Sequence, residues 1–223
     1  LLTNLIIKPG ENDASDLGSP WKILSKYRLT AGRFEGGFTL EKDQGEKFFS
    51  GSPRLPDFLS AHISYTGKAI IRKIILGDFS SRFGLGTNIN TGIRTGLYLT
   101  APSYLPVRND IRPYTSTDEN NFFRGGAVEF SLKKLALSLF YSRKRIDATI
   151  GTSADSSTLF VERFYKTGLH NTSSLINKKD AVIENAYGIN LSYNFKFLKV
   201  GLCWSEDRFS IPVKPDISNP EYR

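Results

Sequence analysis

An all-β fold, laid out as an antiparallel up-and-down meander, is what this sequence predicts. Strict two-residue periodicity is the first observation. Over 187–197 the odd positions are Tyr187, Ile189, Leu191, Tyr193, Phe195 and Phe197, and the even ones are Gly188, Asn190, Ser192, Asn194 and Lys196. Such alternation gives a strand one apolar and one polar face. The second observation is that tight links alternate with long polar stretches. The third is that no segment reads as a long helix. The 19 glycines are scattered, among them Gly36-Gly37, Gly84, Gly86, Gly92 and Gly96. Interior glycine costs a helix about 1 kcal/mol each, whereas in a curved sheet it marks bends and bulges.

Along the chain the alternation recurs. Leu59, Ala61, Ile63 and Tyr65 interleave with Ser60, His62 and Ser64. Val128, Phe130 and Leu132 interleave with Ala127, Glu129, Ser131 and Lys133, and Leu135, Leu137, Leu139 and Tyr141 with Ala136, Ser138, Phe140 and Ser142. Val200, Leu202 and Trp204 interleave with Gly201, Cys203 and Ser205. Gly67-Lys68, Lys133-Lys134 and 196–199 read as hairpin turns between antiparallel neighbours. The stretches 44–56, 102–121, 151–157 and 171–180 read as long loops. Charges gather at the turns, as in Arg143-Lys144-Arg145 and Lys178-Lys179-Asp180. Roughly ten strands fit, at the ~9–11 residues usual for a barrel strand.

Composition bounds the class. Of 223 residues, 30 are Lys or Arg and 22 Asp or Glu, so 30 − 22 gives a formal charge of +8. A charged fraction of 23% with 13% aromatics excludes a disordered acidic chain. No run approaches the ~18 apolar residues a membrane helix needs. The single Cys203 excludes a disulfide framework and a cysteine zinc site, and only two histidines, His62 and His170, far apart in sequence, argue against a histidine-rich metal site. The chain opens mid-pattern at Leu1-Leu2-Thr3-Asn4-Leu5-Ile6-Ile7. It is expected to be one β-barrel segment, 1–223, of a longer protein.

The direction of the apolar face decides between a soluble β protein and a membrane barrel. The polar face is mostly small residues: Gly188, Asn190, Ser192, Asn194, Ser60, Ser64, Ala136, Ser138 and Ser142. Small polar side chains suit a barrel interior, whereas an aqueous strand surface favours Lys, Glu and Thr. Tyr65, Tyr141, Tyr187, Tyr193, Phe195, Phe197 and Trp204 end the apolar faces, as interfacial girdles do. The meander is therefore expected to be part of a transmembrane outer-membrane β-barrel with long loops.

Several unusual stretches occur in order. Lys26-Tyr27-Arg28 leads through Gly32 to Phe38-Thr39-Leu40-Glu41-Lys42-Asp43-Gln44-Gly45-Glu46-Lys47-Phe48-Phe49, then Pro56-Asp57-Phe58-Leu59-Ser60-Ala61-His62. Leu76-Gly77-Asp78-Phe79 and Arg82-Phe83-Gly84-Leu85-Gly86 follow, then Ile111-Arg112-Pro113-Tyr114-Thr115-Ser116, Glu119 and Phe122-Phe123-Arg124-Gly125. Asp147-Ala148 and Thr167-Gly168-Leu169-His170-Asn171-Thr172 complete the set. Over residues 20–205 this order resembles the barrel region of Bacteroidota-type outer-membrane β-barrel proteins named helix-hairpin-helix domain-containing proteins. The resemblance implies a periplasmic N-terminal helix-hairpin-helix region before the barrel, which this segment lacks. Leu85 and Asn171 depart from the family pattern.

Individual constellations were weighed on their chemistry. Gly84-Leu85-Gly86 lacks the third glycine and the strand–helix context of a dinucleotide loop, so bend glycines are expected. His62 and His170, with Asp57 or Asp78, sketch part of a Ser-His-Asp site; a hydrogen-bonded interior histidine is the expected role of His62. Candidate lumenal polar residues are His62, Asp78, Arg82, Glu129 and Lys133; Glu129 and Lys133 read as sharing the polar face of one strand, and Asp78 and Arg82 as lying near each other. Glu41, Lys42, Asp43, Glu46 and Lys47 read as a salt-bridge ladder or a charged plug contact. The most informative stretch supplies Arg112, Pro113, Tyr114, Glu119, Phe122, Phe123 and Arg124, and 111–125 is expected to fold against the lumen or barrel mouth and restrict it.

The expected function is structural, transport or anchoring, with no defined chemistry. No catalytic, cofactor-binding or metal-ligating residue is assigned. Expected partners are outer-membrane lipid and periplasmic proteins; nucleic acid enters only through the absent helix-hairpin-helix region. A DNA-handling module and a barrel-embedded hydrolase are the alternatives. The basic charge also suits lipopolysaccharide phosphates or anionic solutes.

Overall fold

The computed structural model describes residues 1–11, 13–48, 56–84, 86–91, 109–152 and 158–213. Phe49, Leu85, Gly92, Gly96 and the loop stretches 50–55, 102–108 and 153–157 read above lie outside them. The strands are β1 (Leu2–Lys8), β2 (Lys22–Ala31), β3 (Phe34–Lys42), β4 (Phe58–Thr66), β5 (Ile71–Arg82) and β6 (Asp110–Pro113). Then come β7 (Phe123–Leu132), β8 (Leu135–Ile146), β9 (Ala148–Thr152), β10 (Leu159–Phe164), β11 (Val182–Asn194) and β12 (Lys199–Phe209). A four-residue helix, α1 (Ser173–Ile176), precedes β11.

The protein is an antiparallel meander. One sheet runs β1-β2-β3-β4-β5-β7-β8-β11-β12, with β6 attached to β5, and β9 and β10 form a separate pair. Among the described residues the path ends at β1 and β12. Short turns join β2 to β3, β4 to β5, β7 to β8 and β11 to β12; the long connections lie at the opposite strand ends. The 187–197 run stops as a strand at Asn194, because the Phe195 N–H turns back to the Leu198 carbonyl (2.7 Å), leaving Phe197 in the turn. Lys133 is likewise a turn residue, at φ 53°.

Small polar side chains lie on the buried face of the sheet, and many large apolar ones lie on its exposed face. Ser60, His62 and Ser64 on β4, Ser138 and Ser142 on β8, and Asn190 and Ser192 on β11 are buried. Their strand neighbours Ile63, Tyr141, Ile189 and Leu191 are exposed, and Leu202 is 70% exposed. We call these the covered and open faces. Much of the covered face lies beneath the loops, and among the described residues its largest apolar cluster holds Ile75, Phe79, Phe83, Ile89, Ile111 and Phe140, with smaller ones around Phe58, Tyr114 and Phe122 and around Ala148, Val161 and Val182. Cys203 packs half-buried against the largest.

The sheet bends at one paired position. Gly77 on β5 lies opposite Gly125 on β7. Gly77 has φ +97°, and a Cβ there would sit 2.2 Å from the Ala61 carbonyl; at Gly125 it would sit 2.3 Å from that of Tyr141. Only glycine allows such approach. Pairing of β4 with β5 ends at His62–Gly77, and beyond it β5 takes β6 as its new neighbour through Phe79–Pro113 to Arg82–Asp110.

Candidate functional site

Segment 110–122 lies across the covered face and is held from several strands. The Lys26 ammonium on β2 donates to the Thr115 carbonyl (2.8 Å), and Lys73 on β5 to that of Ile111 (2.7 Å). Lys144 on β8 donates to the carbonyls of Asn120 (2.7 Å) and Phe122 (2.9 Å). The Tyr114 N–H donates to the Asp78 carbonyl (2.9 Å). Within the segment, the Asp118 carboxylate accepts from the N–H groups of Asn120 and Asn121, a local turn-stabilising pattern. Burial acts to raise the Asp118 carboxyl, but the Asn121 and Asn120 hydrogen bonds outweigh it and hold it below its ordinary value.

Aromatic packing anchors the middle. Tyr114 stacks on Phe122 at 4.9 Å and Phe58 meets Phe122 edge-on at 6.0 Å. The Lys144 ammonium and the Arg124 guanidinium lie 5.1 and 5.3 Å from the Phe122 ring centre, within cation–π range. Burial pushes the Tyr114 hydroxyl up to about 12, so it stays protonated and donates to the Asp118 carbonyl.

At the base of this segment, Arg124 and Asp78 form a two-pronged pair. Nε donates to one carboxylate oxygen (2.7 Å) and an Nη2 to the other (2.9 Å); the same Nη2 reaches the Leu59 carbonyl on β4 (2.7 Å). The pair fills the gap that opens where β5 leaves β4. Asp78 was expected beside Arg82, and this is corrected: the bend at Gly77 aims Asp78 toward Arg124. Arg82 ends β5, bridged to Asn90. Glu129 was expected to share a strand face with Lys133, but β7 ends at Leu132. Instead its carboxylate lies 3.8 Å from Lys73 and accepts the Ile111 N–H (3.3 Å), while Lys133 is exposed in its turn.

The remaining predicted residues are placed as follows. Arg112 is exposed on β6 and paired with Asp110, and Pro113 ends β6. Phe123 packs against Phe140 (4.6 Å). His62 is buried on β4, its Nε2 3.5 Å from Glu35, with Arg28 3.8 Å beyond. The Arg143-Lys144-Arg145 triplet was expected at a turn. It lies inside β8, where alternation sends Lys144 to the covered face and both arginines to the open one.

The long connections converge on His170. Its Nδ1 lies 2.7 Å from Asp57, its Nε2 2.7 Å from Asp147, and its backbone N–H donates to Glu46 (2.7 Å). Lys179 bonds Asp57 in turn (2.5 Å), and the Asp180 N–H donates to Asp147 (2.8 Å). Burial works to lower the His170 pKa, but hydrogen bonds to Asp147 and Asp57 outweigh it and raise it to about 10. Burial opposes ionisation of Asp57, yet His170 and Lys179 hold its carboxyl below the ordinary range. Burial, reinforced by the Asp57 charge, raises Glu46 and lifts Glu119 to about 8.

This arrangement has definite chemistry. An imidazolium donating from both nitrogens has no lone pair with which to take a proton, so His170 with Asp57 is not half of a nucleophilic triad. Glu46, Asp57 and His170 could each offer a metal ligand within 4.8 Å of one another. The two cations His170 and Lys179 already balance Asp57 and Asp147, and both Glu46 oxygens accept backbone N–H groups. The residues fit an ion-paired knot, not a metal centre. It ties the connections before β4, after β8 and before β11, while Asn171 reaches Asp16 in the β1–β2 connection (2.8 Å). Gly84 and Gly86, at φ +57° and +82°, fit the bend expected of them. No family model, curated protein or solved structure matches the chain.

Proposed function

We propose that this chain is part of an outer-membrane β-barrel whose passage is filled by segment 110–122, serving as a closed or gated conduit or as an anchor. One observation carries the reading: the meander buries Ser60, Ser64, Ser138, Ser142, Asn190 and Ser192 on one face and exposes Ile63, Leu76, Tyr141, Ile189, Leu191 and Leu202 on the other. In water that inversion leaves contiguous large apolar side chains exposed across several neighbouring strands, which soluble monomers rarely show; in lipid it is the required polarity. Cross-strand Tyr141–Tyr187, 5.1 Å apart on the open face, fit a headgroup-level girdle. The long connections and short turns at opposite strand ends match the asymmetry of such barrels.

The test is fractionation of the full-length protein, with boiled and unboiled samples compared on a detergent gel. The expected result is a membrane-bound band whose migration shifts on boiling. A soluble, unshifted monomer overturns the proposal. A second expected result concerns the filled passage. In planar bilayers the wild type conducts little, whereas Lys26→Ala with Lys144→Ala raises single-channel conductance several-fold, because segment 110–122 loses its ties to β2 and β8. Unchanged conductance in a correctly shifted variant would show that 110–122 does not control the passage.

A further inference from the structure

The open face carries a groove of about 720 Å³ over β5, β7, β8, β11 and β12, lined by Ile74, Leu76, Val128, Leu139, Ile189 and Trp204. It exists because Gly126 contributes no side chain between Leu76 and Tyr141. A Cβ at Gly126 would make only ordinary contact, 3.5 Å from Leu76 Cδ2. One end of the groove is bounded by Tyr141, Tyr187, Glu206 and Arg208.

Just past that end, three arginines face outward. Arg143 and Arg208 flank Asn185 on either side, and Arg145 lies opposite Ile183. All three are exposed. The Tyr141 hydroxyl donates to Asn185 (3.0 Å), and the Arg208 guanidinium lies 6.0 Å from the Tyr187 ring. Glu206, which Arg208 contacts at 2.5 Å, is the acid next to them on the open face of β12. Three cations against one anion leave +2 beside an apolar trough.

We infer that this groove is a binding site for a phosphorylated membrane lipid, with an acyl chain along Ile74–Gly126–Ile189 and the phosphate held by Arg143, Arg145 and Arg208. The inference rests on the membrane reading above. Guanidinium forks match phosphate oxygens in two-pronged geometry, and they are weakly hydrated enough to do so at an interface. Tyrosine rings set the depth of the headgroup. The opposite, short-turn end is marked by lysines instead: Lys133, Lys134, Lys196 and Lys199.

Trp204 in the groove reports occupancy. The full-length protein is placed in mixed micelles with brominated phosphatidic acid or brominated phosphatidylcholine, and the quenching lost in a Trp204→Phe variant is assigned to the groove. The expected result is half-quenching at about a tenfold lower mole fraction of phosphatidic acid, as net interfacial cations of this number allow. The preference should vanish in Arg143→Gln/Arg145→Gln/Arg208→Gln, which keeps its boiling shift, and Gly126→Leu should weaken Trp204 quenching by filling the trough. Equal quenching by both lipids overturns the phosphate site while the membrane reading stands. Quenching by neither overturns both. A preference that survives the triple substitution, or that millimolar inorganic phosphate abolishes, also overturns it.

Discussion

Replacing His170 by leucine is expected to release the long connections while leaving the sheet paired. The substitution strips a cation from between two carboxylates whose side chains are 4% and 13% exposed. Removing one partner of a buried ion pair costs about 3–5 kcal/mol, because the orphaned charge stays buried. Lys179 still serves Asp57 and the backbone N–H of residue 170 still serves Glu46, so the damage concentrates at Asp147. The measurement is limited proteolysis in detergent: new cleavage within 43–57 and 165–181, with the boiling shift retained. His170→Gln, which keeps one donor, should lie between wild type and His170→Leu. Equal protease resistance in all three would mean the knot does not hold these connections.

The same knot sets a pH dependence. His170 rises from 6.5 to about 10 on folding, so its contribution is complete below pH 6.5 and is lost as pH climbs toward 10. Glu119, raised from 4.5 to about 8, works in the same direction: the folded state holds a proton that the unfolded chain has released. Asp57, held below 3.8, has the opposite sign, and its contribution is lost only in strong acid. Protection of these connections should therefore be greatest near pH 4–5 and fall steadily from pH 5 to pH 10. A rise in protection toward pH 9 would contradict the assigned pairings.

Arg124→Ala is expected to cost roughly 3 kcal/mol of folding stability, the lower end for a broken buried pair because the guanidinium is half-exposed. The larger share comes from Asp78, whose carboxylate is 2% exposed and would keep only a 3.3 Å contact from the Ala61 N–H. Asp78→Leu with Arg124→Leu should cost less than Arg124→Ala alone, since no charge is left without a partner. Urea unfolding in detergent of Arg124→Ala, of the double variant and of Asp78→Leu and Arg124→Leu singly measures the differences. Additive losses would show that the two side chains do not act as a pair.

What was legible in the sequence was what period two encodes locally. The strands β4, β7, β8, β11 and β12, and the small polar face of β11, follow from neighbouring residues. Lys144 was also within reach: continuing the β8 alternation past Ser142 puts Lys144 beside Phe140 and Ser142, but three consecutive cations resemble a turn. The Asp78–Arg124 pair was not legible, because the glycine bend that aims it is a property of two strands together. His170 illustrates the same limit. Its partners stand 113 and 23 residues away, and no local pattern links an aspartate ahead of β4 to a histidine ahead of β11.

The cross-strand ties of segment 110–122 have a consequence for the order of assembly. Neighbouring strands joined by turns of a few residues can zip together early, since closing a short loop costs little entropy. The Lys26–Thr115 bond spans 89 residues and requires β2, while the bonds from Lys144 require β8. The segment therefore docks last, after strands on both sides of it have paired. Until then Tyr114, Phe122 and Phe58 are without one another, and their rings stay exposed in the incompletely paired chain. Docking at once hides those rings and braces β2 against β8, so the segment acts as a checkpoint on completion of the sheet.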